Sequence, residues 1–180
     1  MKTKRNIKCI SLATLCIFIV IGIFTLYACA NGQIEYHIGF SDLAIFGSKE
    51  NEDGGIAYGL TKTIKSVEEL RDVCEEWNNP AFDENSDGYS SELSQKIRGY
   101  DEKFFETKAL IINSSLQYNS ERVPKVEKLT HNGDVLIIQV SLKDGMYWDI
   151  AEGWLFLIEV NKTYMDDITY ITIENTTRAK

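Results

Sequence analysis

Residues 125–142 read KVEKLTHNGDVLIIQVSL, and this stretch decides the fold. Asn132-Gly133 at its centre accepts the positive φ angles of a type I′ turn. Lys125–Thr130 and Val135–Leu142 are therefore predicted to pair as an antiparallel hairpin. In the second arm Leu136, Ile138, Val140 and Leu142 share one face at period two, the pattern of a strand laid on a core. Val135 and Ile137 make part of the other face apolar too. The first arm is less regular: Val123, Val126 and Leu129 do not alternate, and Pro124 favours a strand start or an edge.

Working outward, Asp144-Gly145 opens a loop that carries Met146, Tyr147 and Trp148. Gly153–Val160 then places Trp154, Phe156, Ile158 and Val160 on one face and Leu155 and Leu157 on the other. A strand apolar on both faces is covered on both sides, so it belongs at the centre of a sheet. Met165–Ile168 reads as a turn and Thr169–Glu174 as a last strand with Ile171 and Ile173 inward. Residues 175–180 are expected to fray.

Upstream, Leu110, Ile111 and Ile112 mark a strand over Ala109–Leu116, and Ile56–Ile64 is strand-like. Asn31–Phe40 carries Ile34, Tyr36, Ile38 and Phe40 at period two, a half-buried strand. Ser41–Gly55 between them reads as an exposed loop. Ser66-Val67-Glu68-Glu69 is a capping box, with the glutamate expected to reach back to the serine N–H. The helix it opens should run from Val67 to Trp77, with Val67, Leu70, Val73, Cys74 and Trp77 on its apolar face. It should stop at Asn78-Asn79-Pro80, because proline disfavours helical geometry in the residue before it. Ser91–Arg98 is a short helix, and Tyr100–Phe105 a single turn capped by Asp101. Residues 31–180 thus read as one α+β domain. It has a mainly antiparallel sheet of about six strands and one principal covering helix.

The amino terminus has a different character. Lys2, Lys4, Arg5 and Lys8 precede the apolar run Ile10–Ala30, and no acidic residue occurs before Glu35. A basic start before an apolar run is the pattern of an export signal. Leu26-Tyr27-Ala28-Cys29 closes the run and resembles a lipoprotein signal, in which the cysteine is lipidated and becomes the mature amino terminus. Tyr27 is larger than the small residue usual at that position. An uncleaved anchor is the alternative, since about 20 apolar residues cross a bilayer core; a buried soluble helix is the third. Under the first two readings residues 1–29 are an export signal or anchor. The domain then faces outward from the cell membrane.

The four cations of residues 1–28, which hold no acid, leave −12 on the remainder of a chain whose net charge is −8. So acidic a domain repels phosphate backbones, which argues against nucleic acid as a partner. Of four cysteines only Cys74 lies in the domain. A lone thiol forms no internal bridge or multi-cysteine metal cluster, and its place on the helix face makes it a core residue.

Asp83-Glu84-Asn85-Ser86-Asp87-Gly88 has oxygen side chains at positions one, three and five and glycine at six, matching the start of an EF-hand calcium loop. Position twelve, however, is Ser94 rather than a bidentate glutamate, and Asp and Asn also build ordinary turns through their own backbone. His37 and His131 are the only histidines. The chain holds no nucleophile elbow, zinc-protease motif or phosphate-binding glycine loop. No catalytic residue or cofactor is indicated, although a hydrolase built on two carboxylates needs no sequence spacing. Met146, Tyr147 and Trp148 are interface candidates, because loops carry binding function and Tyr and Trp favour interfaces.

Tyr100-Asp101-Glu102-Lys103-Phe104-Phe105 followed by Lys108-Ala109-Leu110-Ile111, and Ala151-Glu152-Gly153-Trp154 running into Phe156–Val160, resemble a group of small secreted or lipoprotein domains of Gram-positive anaerobes. These are similar to the carboxy-terminal domain of PrcB, a partner subunit of a secreted protease complex. Ser66-Val67-Glu68-Glu69-Leu70 fits too, and the resemblance spans about residues 64–174. It implies an accessory role, supporting or binding an exported protein, and supplies no catalytic residue. Weak extracellular calcium binding and a cell-envelope hydrolase are the alternative expectations.

Overall fold

The computed structural model describes residues 32–118, 124–142 and 151–177. The chain divides into two compact units, Met1–Gln33 and Ile34–Lys180. The second is α+β, mostly sheet, with three α-helices among the described residues. Strands β2 (Tyr36–Asp42), β9 (Ala151–Asn161), β6 (Lys108–Tyr118) and β5 (Leu60–Ile64) form one four-stranded antiparallel sheet in that order. Strands β1 (Gln33–Ile34), β7 (Lys125–Asn132), β8 (Val135–Leu142) and β10 (Tyr170–Thr177) form a second, and β3 (Lys49–Glu50) and β4 (Ile56–Ala57) a short ribbon. Among the described residues, ten strands in three sheets replace the single sheet of about six expected from sequence.

The two-faced pattern of β9 explains the layering. Trp154, Phe156, Ile158 and Val160 join Ala109 and Ile111 of β6 against Leu129, Leu136, Ile138 and Val140 of the second sheet. Leu155 and Leu157 join Leu110 and Ile112 on the opposite face, beneath the helices. The central sheet is thus buried on both sides, and β9 lies inside it, as its sequence requires.

Helix α1 (Val67–Glu76) buries Leu70, Val73 and Cys74 in the helix-side core. The Ser66 hydroxyl accepts from Glu69 N at 3.1 Å, but the Glu69 carboxylate reaches past the serine to accept from Lys65 N at 2.6 Å. The helix ends in a Schellman motif. Asn78 adopts φ 48°, its N–H donates to Glu75 O, and Asn79 N–H donates to Cys74 O at 2.7 Å. Asn is the side chain that tolerates this left-handed position best after glycine. Helices α2 (Glu92–Arg98) and α3 (Glu102–Thr107) follow, capped by Ser91 and Asp101.

Two bulges alter the expected faces. In β2 the register shifts at Gly39, so Tyr36 and Ile38 pack on the inter-sheet core whereas Phe40 turns to the helix side. A strict alternation would have kept all three together. In β7 the register shifts at Glu127, so Val126 and Leu129, three apart, face the same core. One extra residue restores phase to a pattern that looked irregular.

The hairpin forms, but its turn sits one residue later than expected. Asn132 pairs with Val135, leaving Gly133-Asp134 as the loop. Gly133 has φ 61° and Asp134 is not among the positive-φ residues, the type II′ rather than the type I′ requirement. The last strand also departs from expectation. It crosses from β9 back to the second sheet and pairs parallel to β8, and Asn175–Thr177 remain in register rather than fraying. The loop from Ser41 to Gly55 is not wholly exposed either. Phe46 is 1% exposed, its N–H donates to Ser114 Oγ, and its carbonyl accepts from Asn79 Nδ2.

Candidate functional site

On the helix-side face of β9, the apolar stripe Leu155, Leu157 continues into Glu159, a carboxylate only 8% exposed. Its oxygens lie 3.5 Å from Lys96 Nζ and 3.2 Å from Lys108 Nζ, and the Tyr100 hydroxyl donates to it at 3.3 Å. Each partner comes from a different place: Lys96 from α2, Tyr100 from the turn after it, Lys108 from the start of β6. Gly39, the bulge residue of β2, leaves the room they occupy. A Cβ there would lie 2.6 Å from Glu159 Oε1 and closer still to the Tyr100 hydroxyl. Burial first, then the Glu159 charge, push the Tyr100 pKa far above its ordinary value, so the phenol stays a donor.

This cluster was not foreseen from the sequence. The available signal was one carboxylate continuing an apolar strand face. The arrangement satisfies itself: two ammonium groups and a hydroxyl occupy the oxygens a general base would offer a substrate. A shallow cleft of about 330 Å³ beside it is lined by Glu35, His37, Lys108 and Tyr164 among others. His37 and His131 are exposed. Cys74 is 2% exposed, and burial pushes its thiol up to about 12, which makes it a core residue rather than a nucleophile.

The outermost strands differ in how they end their sheets. Sheet edges invite other chains unless short, bulged or charged. β5 has five residues and carries Lys62; β2 is bulged at Gly39; β1, which ends the second sheet beyond β7, has only two residues. β10 has none of these devices. It runs eight residues in unbroken register with β8, contains no proline or lysine, and has Glu174 as its one charge. Among the described residues no strand pairs with its outer side. Tyr170, 63% exposed, and Thr172 project beside Val135 and Ile137, their register partners on β8.

Asp83, Asn85 and Asp87 lie in the turn after a 3-10 segment, Pro80–Phe82. The Asp83 carboxylate accepts from Asn85 N at 3.0 Å, the ordinary Asx-turn bond. Ser94, at the twelfth position, is 1% exposed and donates to Gly88 O. Among the described residues no group of three or more His, Cys, Asp or Glu side chains could hold a metal ion. No described helix is long and apolar enough to cross a membrane. Cys29, with the rest of residues 1–29, and Met146, Tyr147 and Trp148 lie outside the described residues.

Compared with protein-family models, curated proteins and solved structures, the chain matches none. The resemblance to PrcB-type domains therefore rests on the sequence pattern alone.

Proposed function

We propose that this protein is a membrane-tethered, outward-facing accessory module that holds an exported partner by strand addition to the outer edge of β10. The observation that carries the reading is the contrast among edges: three are short, bulged or charged, and β10 is none of these. An extended peptide laid along β10 gains main-chain hydrogen bonds for affinity, while Tyr170, Thr172 and Ile137 offer contacts to alternate side chains. A second copy of this chain is the poorer occupant, because two domains of −12 repel. Export is supported by the basic start and apolar run of residues 1–29, with attachment through a lipid on Cys29 or through an uncleaved span. The PrcB-type resemblance supports an accessory role, and the self-satisfied Glu159 cluster supports binding over catalysis.

A photocrosslinking amino acid at Thr172 of the full-length protein in intact cells tests the reading. The same group at Glu68, exposed on α1, serves as control. The expected result is a crosslink from position 172 to an extended segment of an exported protein, absent from position 68. Proline at Thr172 or Ile173 sharpens the test, since adjacent residues turn their N–H groups to opposite edges and one variant spares the β8 ladder. The folded proline variant should lose the partner. Equal crosslinking from both positions, or a partner held unchanged by that variant, refutes the reading.

A further inference from the structure

A second feature, on the helix side and independent of β10, is a cleft of about 350 Å³ lined by Val67, Arg71, Phe82, Arg98, Tyr100 and the segment 101–103. Three cations reach it: Arg71, Arg98 and Lys103. The observed ion pairs use Lys49, Lys62, Lys96, Lys108 and Lys125, so among the described residues none of these three is paired with an acid. That is unexpected in a domain with so many carboxylates.

The two guanidinium groups are held in place by stacking and backbone bonds. Arg71 lies over the Phe82 ring at 4.3 Å, and Arg98 over the Tyr89 ring at 3.8 Å. Arg98 Nη1 also donates to Ala81 O at 2.6 Å and to Tyr89 O at 2.9 Å. No hydrogen bond engages the Arg71 guanidinium among the described residues, so its planar fork stays available. Stacked, oriented guanidinium donors lose little freedom when they close on an oxyanion, and the fork matches a carboxylate in bidentate fashion.

Asp101 and Glu102 narrow the choice of anion. Three cations against two carboxylates leave a net charge of +1 at the cleft, which suits a single negative charge and disfavours a phosphate dianion. Val67, Phe82 and Tyr100 supply apolar wall beside the charge. We infer that this cleft binds a carboxylate carried on an apolar group, as presented by a polypeptide carboxy terminus ending in a leucine-like residue.

The test is calorimetric titration of the full-length protein in non-ionic detergent at low salt. The probes are acetyl-Gly-Gly-Leu, its carboxamide, 4-methylpentanoate and inorganic phosphate. The expected result is saturable binding of the free-acid tripeptide in the millimolar range, at least tenfold weaker binding of the carboxamide, and intermediate binding of 4-methylpentanoate. Arg71→Leu should weaken the free acid at least tenfold, and Arg71→Lys less. Arg71 is exposed, so both variants should fold; matched urea midpoints check this. Equal binding of acid and carboxamide, no change in Arg71→Leu, or no binding at about 20-fold above the expected range overturns the inference. Tighter binding of phosphate overturns the carboxylate assignment. 4-Methylpentanoate matching or exceeding the tripeptide makes the source a free small acid and overturns the chain-terminus assignment.

Discussion

Replacing Gly39 by alanine probes the Glu159 cluster at its tightest point. A Cβ there would sit 2.6 Å from Glu159 Oε1 and 3.2 Å from the Lys96 ε-carbon, and nearer still to the Tyr100 hydroxyl. Lys96 is partly exposed and can swing away, whereas Tyr100 is 3% exposed, with a rigid ring packed edge-on to Phe104 at 4.7 Å. The methyl must therefore displace the phenol or break its bond to the carboxylate. Overpacking costs about 1–3 kcal/mol, and loss of a hydrogen bond to a charged group about 1.5–3 kcal/mol. Because the two are alternative forms of relief, the expected loss is about 2–3 kcal/mol and not their sum. A cycle with Tyr100→Phe isolates the cause. That change alone should cost about 1.5–3 kcal/mol, the loss of that hydrogen bond, and it removes the nearest clashing atom. Gly39→Ala should then cost about 1 kcal/mol less in the Tyr100→Phe background than in the parent, a coupling well above the additivity error of about 0.3–0.5 kcal/mol. Urea unfolding of the full-length protein in detergent, followed by tryptophan fluorescence, reads all four corners. An unchanged cost of Gly39→Ala in the two backgrounds would falsify the steric account of the cluster.

Phe46→Ala should destabilise by about 3–5 kcal/mol in the same urea assay, as for a core aromatic; a loss under about 1 kcal/mol would show that the loop between Ser41 and Gly55 does not reach the core. Asn78→Ala should lose about 1–2 kcal/mol, because a Cβ-bearing non-Asn residue is strained at φ 48°; no loss would mean that the helix end relaxes to another cap. The Cys74 thiol, raised to about 12 by burial, is neutral in the fold, while an unfolded thiol ionises at about 8.5. Its contribution is complete below about pH 8.5 and is lost as pH rises toward about 12, since the unfolded state releases its proton first. Between about pH 8 and 11 the urea midpoint of the parent should fall more steeply than that of Cys74→Ala; parallel profiles would refute this. Alkylation at about pH 8 followed by peptide mapping should leave Cys74 unlabelled in the native protein and labelled in urea.

What the sequence made legible was local chemistry and facing. Caps at Ser66 and Asp101 are side-chain bonds to backbone groups three residues away, so they are written in consecutive residues. The two-faced stripe of β9 is equally local, and it required a layer on each side of the sheet. Bulges escaped because one extra residue costs no conspicuous composition: Gly39 looks like any strand glycine, and Glu127 like a polar position. The parallel pairing of β10 escaped for a different reason. Ile171 and Ile173 declare which face is buried but not which strand lies alongside, and that strand is some 35 positions earlier in the register. Glu159 was hidden among many acids, since its partners converge only when α2, β6 and β9 have assembled.

The two layers flanking the central sheet have consequently different tasks. The helix side is cross-linked by polar bonds as well as apolar contact: Lys162 Nζ donates to Lys65 O and Phe105 O, and Lys65 Nζ to Met165 O at 2.7 Å. These bonds tie the start of α1 and helix α3 to the turn after β9, so a ligand on that side meets a preformed surface. The second sheet is joined to the central one by apolar packing and by the Tyr36 hydroxyl donating to Val126 O at 3.0 Å. Among the described residues its strand β10 is anchored on one flank only, and Ile171 and Ile173 are half-buried rather than sealed. A strand added there would extend the β1-β7-β8-β10 ladder and deepen the cover over those two isoleucines. Partner binding should therefore stabilise β10 most and the helix side least. Hydrogen exchange of the complex can resolve that gradient: protection rising first at Tyr170–Thr177 follows from strand addition, and protection confined to α1 and α2 contradicts it.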